Sequence, residues 1–248
     1  MIDDKSFLRY SRQLLLNEIG FHGQNLLNSA TILLVGLGGL GSPAAFYLAA
    51  AGIGKLILAD NDKLQLTNLQ RQILYNTNEI GKFKADLAKN KLTNLNPENK
   101  YISLIKKLDN DNLIKQVKTV DLVLDCSDNM ETRHNINYAC VYCKKPLITA
   151  SATGFDGQII TFTPPWENGC YSCLFPNKNN INDINCNSFG ILGPIVGIMG
   201  TMQALEAIKF LCNIKINFNQ GQLWLFNGKS LQWKNLHLTK NTNCSICS

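Results

Sequence analysis

An α/β fold with a doubly wound, mostly parallel sheet is the architecture this sequence predicts, and three observations predict it. A glycine-rich turn joins a strand to a helix near residue 36, β and α patterns alternate to about residue 150, and alternating β patterning dominates the last third.

Taken in order, 7–27 reads as two short helices separated near Gly20 to Gly23, an N-terminal arm carrying Arg9 and Arg12 on one helical face. Thr31 to Val35 is a buried strand, and Gly36, Gly38 and Gly41 follow at G-x-G-x-x-G spacing. Gly36 permits the tight turn, Gly38 lets backbone approach a phosphate, and Gly41 lets the next helix pack on the strand. Pro43 suits the first helical turn and Gly52 or Gly54 ends the helix, whose N-terminus faces an anion. A second strand, Lys55 to Ala59, leads to Asp60, about twenty residues past the turn, where a carboxylate accepts hydrogen bonds from ribose hydroxyls. The context of strand, helix and acid turns a weak motif into a nucleotide site, Rossmann-like in its first half.

The alternation continues with a helix from about Gly81 to Leu95, a strand at Tyr101 to Ile105, and a helix at Asn110 to Val117. Strand Asp121 to Cys126, helix Thr132 to Cys143 and strand Leu147 to Ala150 complete it, placing Gly36, Asp60 and Asp128 beyond strand C-termini, where such sheets bind ligands. The stretches 157–162 and 222–233 alternate as antiparallel β added to the same sheet, with a helix from Pro194 to Cys212 between them. The chain divides into an arm (1–28), a nucleotide-binding half (29–150) and a second half (151–248) within one domain.

Composition narrows the function. With 248 residues and 45% hydrophobic content the chain suits a single core, and its net charge of +6 is dispersed, so no nucleic-acid partner is required. The N-terminus lacks a secretory pattern and 189–205 is interrupted by five glycine or proline residues, so a cytoplasmic protein without a membrane span is expected. Nine cysteines then suggest metal ligands, a reactive thiol and buried packing, not disulfides.

Several residues carry chemistry. Asn68, Arg71 and Gln72 lie in a polar loop past Asp60, with Lys84 beyond; a triphosphate needs such cations, whereas a hydride transfer does not. In DCSDNMETR, Asp128 is either a magnesium ligand or the N-cap of the following helix, and the residues leave both open. Cys170-x-x-Cys173 and Cys244-x-x-Cys247 make a four-cysteine zinc site, structural because all four positions are filled. Cys140 and Cys143 sit in a helix pattern and, like Cys126 and Cys212, read as packing residues. Cys186, in the polar loop NNINDINCNSFG, has no flanking base, and the residues favour a non-catalytic thiol. His22, His134 and His237 show no triad or metal spacing.

The segments RYSRQLLL, VGLGGLGSP, LTNLQRQILY, DCSDNMETR, the paired CxxC motifs and GTMQALEAIK together resemble the ThiF/MoeB family of adenylyltransferases related to ubiquitin-activating enzymes. FTPPWENGCYSCLFP and FNGKSLQWKNL look most like its thiamine-biosynthesis branch, with the molybdopterin-synthase branch the alternative. The resemblance implies that ATP and the C-terminal Gly-Gly carboxylate of a small ubiquitin-like sulfur carrier give a carrier acyl-adenylate and pyrophosphate. It assigns nucleotide contacts to Gly39, Asp60, Asn68, Arg71, Gln72, Lys84, Asp128 and Asn129, and makes Asp128 a magnesium-bound, catalytic-site residue. Arg12 would reach the triphosphate of a neighbouring subunit in a homodimer, and Cys186 would link covalently to the activated carrier. No rhodanese-like extension follows Cys247, so a separate persulfide donor such as a cysteine desulfurase is expected. The alternative from another class is a nicotinamide-dependent oxidoreductase built on the same first βαβ unit.

Overall fold

The computed structural model describes residues 3–176, 190–214 and 221–248. The arm is α1 (Asp4–Leu14) and α2 (Gly20–Ser29), and the alternating half runs β1 (Thr31–Val35), α3 (Gly41–Ala51), β2 (Lys55–Ala59), α4 (Lys84–Leu95), β3 (Lys100–Leu104), α5 (Asn110–Lys118), β4 (Leu122–Asp125), α6 (Met130–Cys143) and β5 (Leu147–Thr153). The second half adds β6 (Asp156–Phe162), a one-turn α7 (Tyr171–Leu174), α8 (Gly193–Leu211), β7 (Gln222–Asn227) and β8 (Gln232–His237).

One eight-stranded sheet in the order β3-β2-β1-β4-β5-β6-β7-β8 unites both halves. β3 through β5 are parallel, and β6, β7 and β8 join antiparallel, as the change in patterning predicts. The strand order reverses between β1 and β4, which makes their C-terminal ends the crevice where ligands bind in open sheets. One face packs on α3, α4 and α8; the other packs on α5, α6 and the four-cysteine region. Leu33, Leu34, Leu58, Leu122 and Leu124 are fully buried, each contributing about 1.5–3 kcal/mol of transfer free energy.

Three local expectations change. The helix expected from Gly81 begins at Lys84, because Gly81 has φ +89° and Leu64 exchanges hydrogen bonds with Gly81 and Lys82 in an extended pairing. The stretch 222–233, read only as alternating antiparallel β, resolves into β7, a turn and the start of β8: the Asn227 side chain accepts from the amides of Lys229 and Ser230 and turns the chain. Helix α6 starts two residues before Thr132. Helix α8 begins at Gly193, beside the expected Pro194, and no described helix is long and apolar enough to cross a membrane.

Candidate active site and metal centre

The glycine turn sits at the β1–β4 switch point, and each predicted glycine has its own reason. Gly36 adopts φ +93°, and a Cβ there would lie 2.7 Å from the Cys126 carbonyl oxygen, so the β1 turn presses on the β4–α6 loop. A Cβ on Gly41 would sit 2.0 Å from the Gly36 oxygen, which is why α3 closes so tightly on the strand end. Gly38 meets only the Gln72 side chain at 3.4 Å, and Gly39 packs on Val196 of α8. Among the described residues, the amides of Gly38, Gly39 and Leu40 donate to no protein acceptor, which leaves three donors at the N-terminus of α3 for an anion.

Around this turn the structure gathers most of the predicted site. Asp60 accepts from the Leu37 amide at 2.7 Å and from the Asp62 amide at 2.8 Å. Burial pushes its carboxyl above the ordinary range, against the opposing pull of Lys84 and the two amides. Lys84 opens α4, is 4% exposed, and pairs with Asp62 Oδ2 at 2.9 Å. Tyr75, which sequence reasoning did not single out, donates its hydroxyl to the Leu37 carbonyl at 2.9 Å and ties the polar loop to the turn. In that loop Asn68 Oδ1 caps a 3-10 turn through the Gln65 amide, Arg71 Nη1 donates to the Thr67 carbonyl at 3.1 Å, and buried Gln72 lies against Gly38.

Asp128 is exposed at the end of the β4–α6 loop. It is not the helix N-cap: Asn129 takes that role, its Oδ1 accepting from the Thr132 amide at 2.9 Å. Of the two readings the residues left open, capping therefore falls to its neighbour, and Asp128 stands as an exposed carboxylate directly after Ser127, whose amide lies against Gly36 of the turn. Beneath it, Asp125 and Arg133 form a buried ion pair at 3.4 Å. Neither had been singled out, because their pairing depends on α6 folding back over β4.

Arg12 is elsewhere. Helix α1 docks at the far end of α3, where Tyr10 packs on Gly52, Asn96 Nδ2 donates to the Tyr10 hydroxyl at 2.9 Å and Gln13 Nε2 donates to the Ala51 carbonyl at 2.9 Å. The eleven residues of α3 span about 16 Å, so the exposed Arg12 stands a helix length away from its own glycine turn. Cys186 lies outside the described residues.

The two CxxC pairs converge as expected. All four Sγ atoms lie within 4.8 Å of one another, with Cys170–Cys244 at 3.8 Å and Cys173–Cys247 at 3.5 Å. A tetrahedron of sulfurs with metal–sulfur bonds of about 2.3 Å has edges of about 3.8 Å, so the donor set fits zinc. Asn137 of α6 supports the cluster, accepting from the Tyr171 amide at 2.9 Å and donating to Cys170 Sγ at 3.5 Å. Burial raises the Cys170 and Cys247 thiols; at Cys244 hydrogen bonds from Ile246 and Cys247 overcome burial and bring it down to about 7. Cys126, Cys140 and Cys212 are buried packing residues, and Cys143 is half-buried beneath α5.

Comparison with known proteins adds three findings. Residues 10–246 match the ThiF family. The sulfur carrier protein ThiS adenylyltransferase of Escherichia coli K12 is 50% identical over 246 residues, covering 99% of this chain and 97% of that protein. The adenylyltransferase and sulfurtransferase MOCS3 of Aedes aegypti is 39% identical over 250 residues, all of this chain but only 56% of its own length. Among solved structures, Escherichia coli MccB with ATP superposes with a TM-score of 0.83 at 25% identity, covering 97% of this chain and 73% of that one.

Proposed function

The chain belongs to the ThiF family, and from that premise we propose that it adenylylates the C-terminal carboxylate of a ThiS-type sulfur carrier with ATP. The observation that carries this reading is the convergence of Asp60, Lys84 and the loop leading to Asp128 on the glycine turn. The nicotinamide alternative does not survive the family assignment. The greater identity to the ThiS enzyme than to MOCS3 favours a thiamine-type over a molybdopterin-type carrier.

In this reading 29–150 holds the nucleotide and 151–248 receives the carrier. Asp60 takes the ribose hydroxyls, and the Gly38–Leu40 amides with Asn68, Arg71, Gln72 and Lys84 hold the phosphates. A carrier carboxylate oxygen attacks the α-phosphorus, the bond from that phosphorus to the bridging oxygen breaks, and pyrophosphate leaves with the electron pair. Charge accumulates on the phosphate oxygens as this happens, which is where fixed cations and amides lower the barrier. Asp128, with Asn129 beside it, is suited to hold Mg²⁺, which takes one or two carboxylates plus substrate phosphates and supplies further charge neutralisation. The product is an anhydride with AMP as leaving group, open to sulfur delivered by a separate persulfide donor, with Cys186 the residue for covalent linkage to the activated carrier.

Arg12 acts in trans. Its distance from its own turn, together with the exposed Phe7, Leu8, Leu15, Leu16 and Phe21 on the arm, supports a homodimer that lends Arg12 to the partner's triphosphate. Zinc holds the Cys244–Cys247 segment to the Cys170–Cys173 knuckle and takes no part in the chemistry.

The test is ATP–pyrophosphate exchange by the purified protein with Mg²⁺ and carriers of either type ending in Gly-Gly. Exchange that depends on a thiamine-type carrier is expected. Exchange only with a molybdopterin-type carrier would move the protein to the other branch, and none with either would overturn adenylylation.

A further inference from the structure

We propose that Arg133, through its buried pairing with Asp125, is a positioning residue that fixes the Asp128 carboxylate for the nucleotide's phosphates and metal; this rests on the adenylylation reading above. Asp128 is exposed, and its side chain accepts only a long hydrogen bond from Asn129 Nδ2 at 3.5 Å among the described residues. Its placement must therefore be inherited from the backbone on either side.

That backbone is clamped unusually fully. Asp125 Oδ1 accepts from both the amide and the hydroxyl of Ser127, at 3.0 and 2.6 Å. Asp125 Oδ2 accepts from the Thr149 hydroxyl at 2.7 Å and pairs with Arg133 Nη1 at 3.4 Å. The other arm of the guanidinium, Nη2, donates to the carbonyl of Ser127, the residue immediately before Asp128. From the opposite face of the sheet, Gln203 of α8 donates to the Asp125 carbonyl at 2.8 Å. On the C-terminal side Asn129 caps α6, and the Arg133 amide donates to the Asn129 carbonyl at 3.3 Å.

The pair is hard to explain by stability alone. Asp125 and Arg133 are 1% and 5% exposed, and a buried ion pair commonly does no better than apolar residues of similar volume. What apolar residues could not do is grip the Ser127 carbonyl and the Asp125 carboxylate at once. That forked reach belongs to Arg and not to Lys.

Arg133→Lys separates the two roles, since it keeps the buried charge for Asp125 but loses the second arm; Thr149→Val is a second probe, removing the hydroxyl that donates to Asp125 Oδ2 and accepts from Arg133 Nη1 at 2.9 Å. In carrier-dependent exchange, Arg133→Lys is expected to lower kcat about 10–100-fold, with the KM for ATP changed less than about threefold. The Mg²⁺ concentration for half-maximal exchange should rise several-fold, and thermal melting should shift little. In an Asp128→Ala background the same substitution should cost almost nothing further in kcat, because both changes remove one function. Parental kcat and Mg²⁺ dependence in Arg133→Lys would overturn the inference while leaving adenylylation standing. So would a kcat loss that repeats in full in the Asp128→Ala background. Where that background turns over too slowly to score, the Mg²⁺ dependence alone decides. No exchange in the parent protein would overturn the adenylylation reading and this inference with it.

Discussion

The two ends of the sheet are held by different means. β1, β2 and β4 are buried between helices on both faces, whereas β8, at the opposite edge, is exposed along its whole length. The first end is ordered by apolar packing, so its loops are left to polar residues that need not contribute to the core. Beside the second end, on the face away from α8, four cysteine sulfurs lie within 4.8 Å of one another and bring together segments more than seventy residues apart. The difference teaches where substitutions should separate activity from stability: at the parallel end they should damage chemistry, and at the cysteine cluster they should damage the fold.

The largest expected effect is at the parallel end. Asp128→Ala should lower carrier-dependent exchange on the order of 10³-fold, about 4 kcal/mol of barrier, with melting temperature within about 2 °C of the parent. Mixing it with Arg12→Ala protein should restore part of the activity, because a heterodimer carries one site with both residues intact. A stable Asp128→Ala protein with near-parental exchange would break the assignment of this end to chemistry. Failure of mixing to restore activity would remove Arg12 from the partner's site.

The second effect should fall on the other side of the comparison. Cys247→Ser removes one of four zinc ligands, and with zinc lost the melting temperature should drop by about 10 °C, corresponding to about 3 kcal/mol. Measured metal content should fall from one zinc per chain to nearly none. Metal loss without a change in melting would show that packing by Cys170, Tyr171 and Phe162 already holds this region.

What was legible in the sequence was whatever is local. The glycine spacing, the acid at Asp60 and the two CxxC pairs are each fixed by a few adjacent residues, and the structure places them as expected. The parallel-to-antiparallel change was legible because strands buried on both faces read as continuous apolar runs, whereas half-exposed strands alternate. The Asp125–Arg133–Thr149 network was not, because it needs α6 and β5 brought to the end of β4, and an Arg within a helix pattern looks like a solvated face. The start of α4 was misplaced for a similar reason. Propensity alone cannot register that Gly81 to Phe83 pair with residues 62–64 before the helix begins.

The smallest expected effect sharpens the comparison by using pH. Asp60 has its carboxyl raised by burial from the ordinary value of 3.8, so it protonates on acidification before an unfolded aspartate would. In the folded state the proton is favoured, so any stability linked to Asp60 is fully present below 3.8 and is lost as pH rises through its raised value. Acidification therefore does not weaken the fold through this residue. Nucleotide binding responds oppositely, because a protonated Asp60 offers one fewer acceptor to the ribose. Below the raised value, ATP affinity should weaken by up to about 1.4 kcal/mol per pH unit, while melting shows no matching loss from this group. Asp60→Asn shares every titration of the nucleotide itself, so isothermal titrations of the two proteins side by side isolate the carboxylate. Parallel pH profiles for the two would show that Asp60 serves only to brace the Leu37 amide, and would move it from the binding chemistry to the scaffold of the glycine turn.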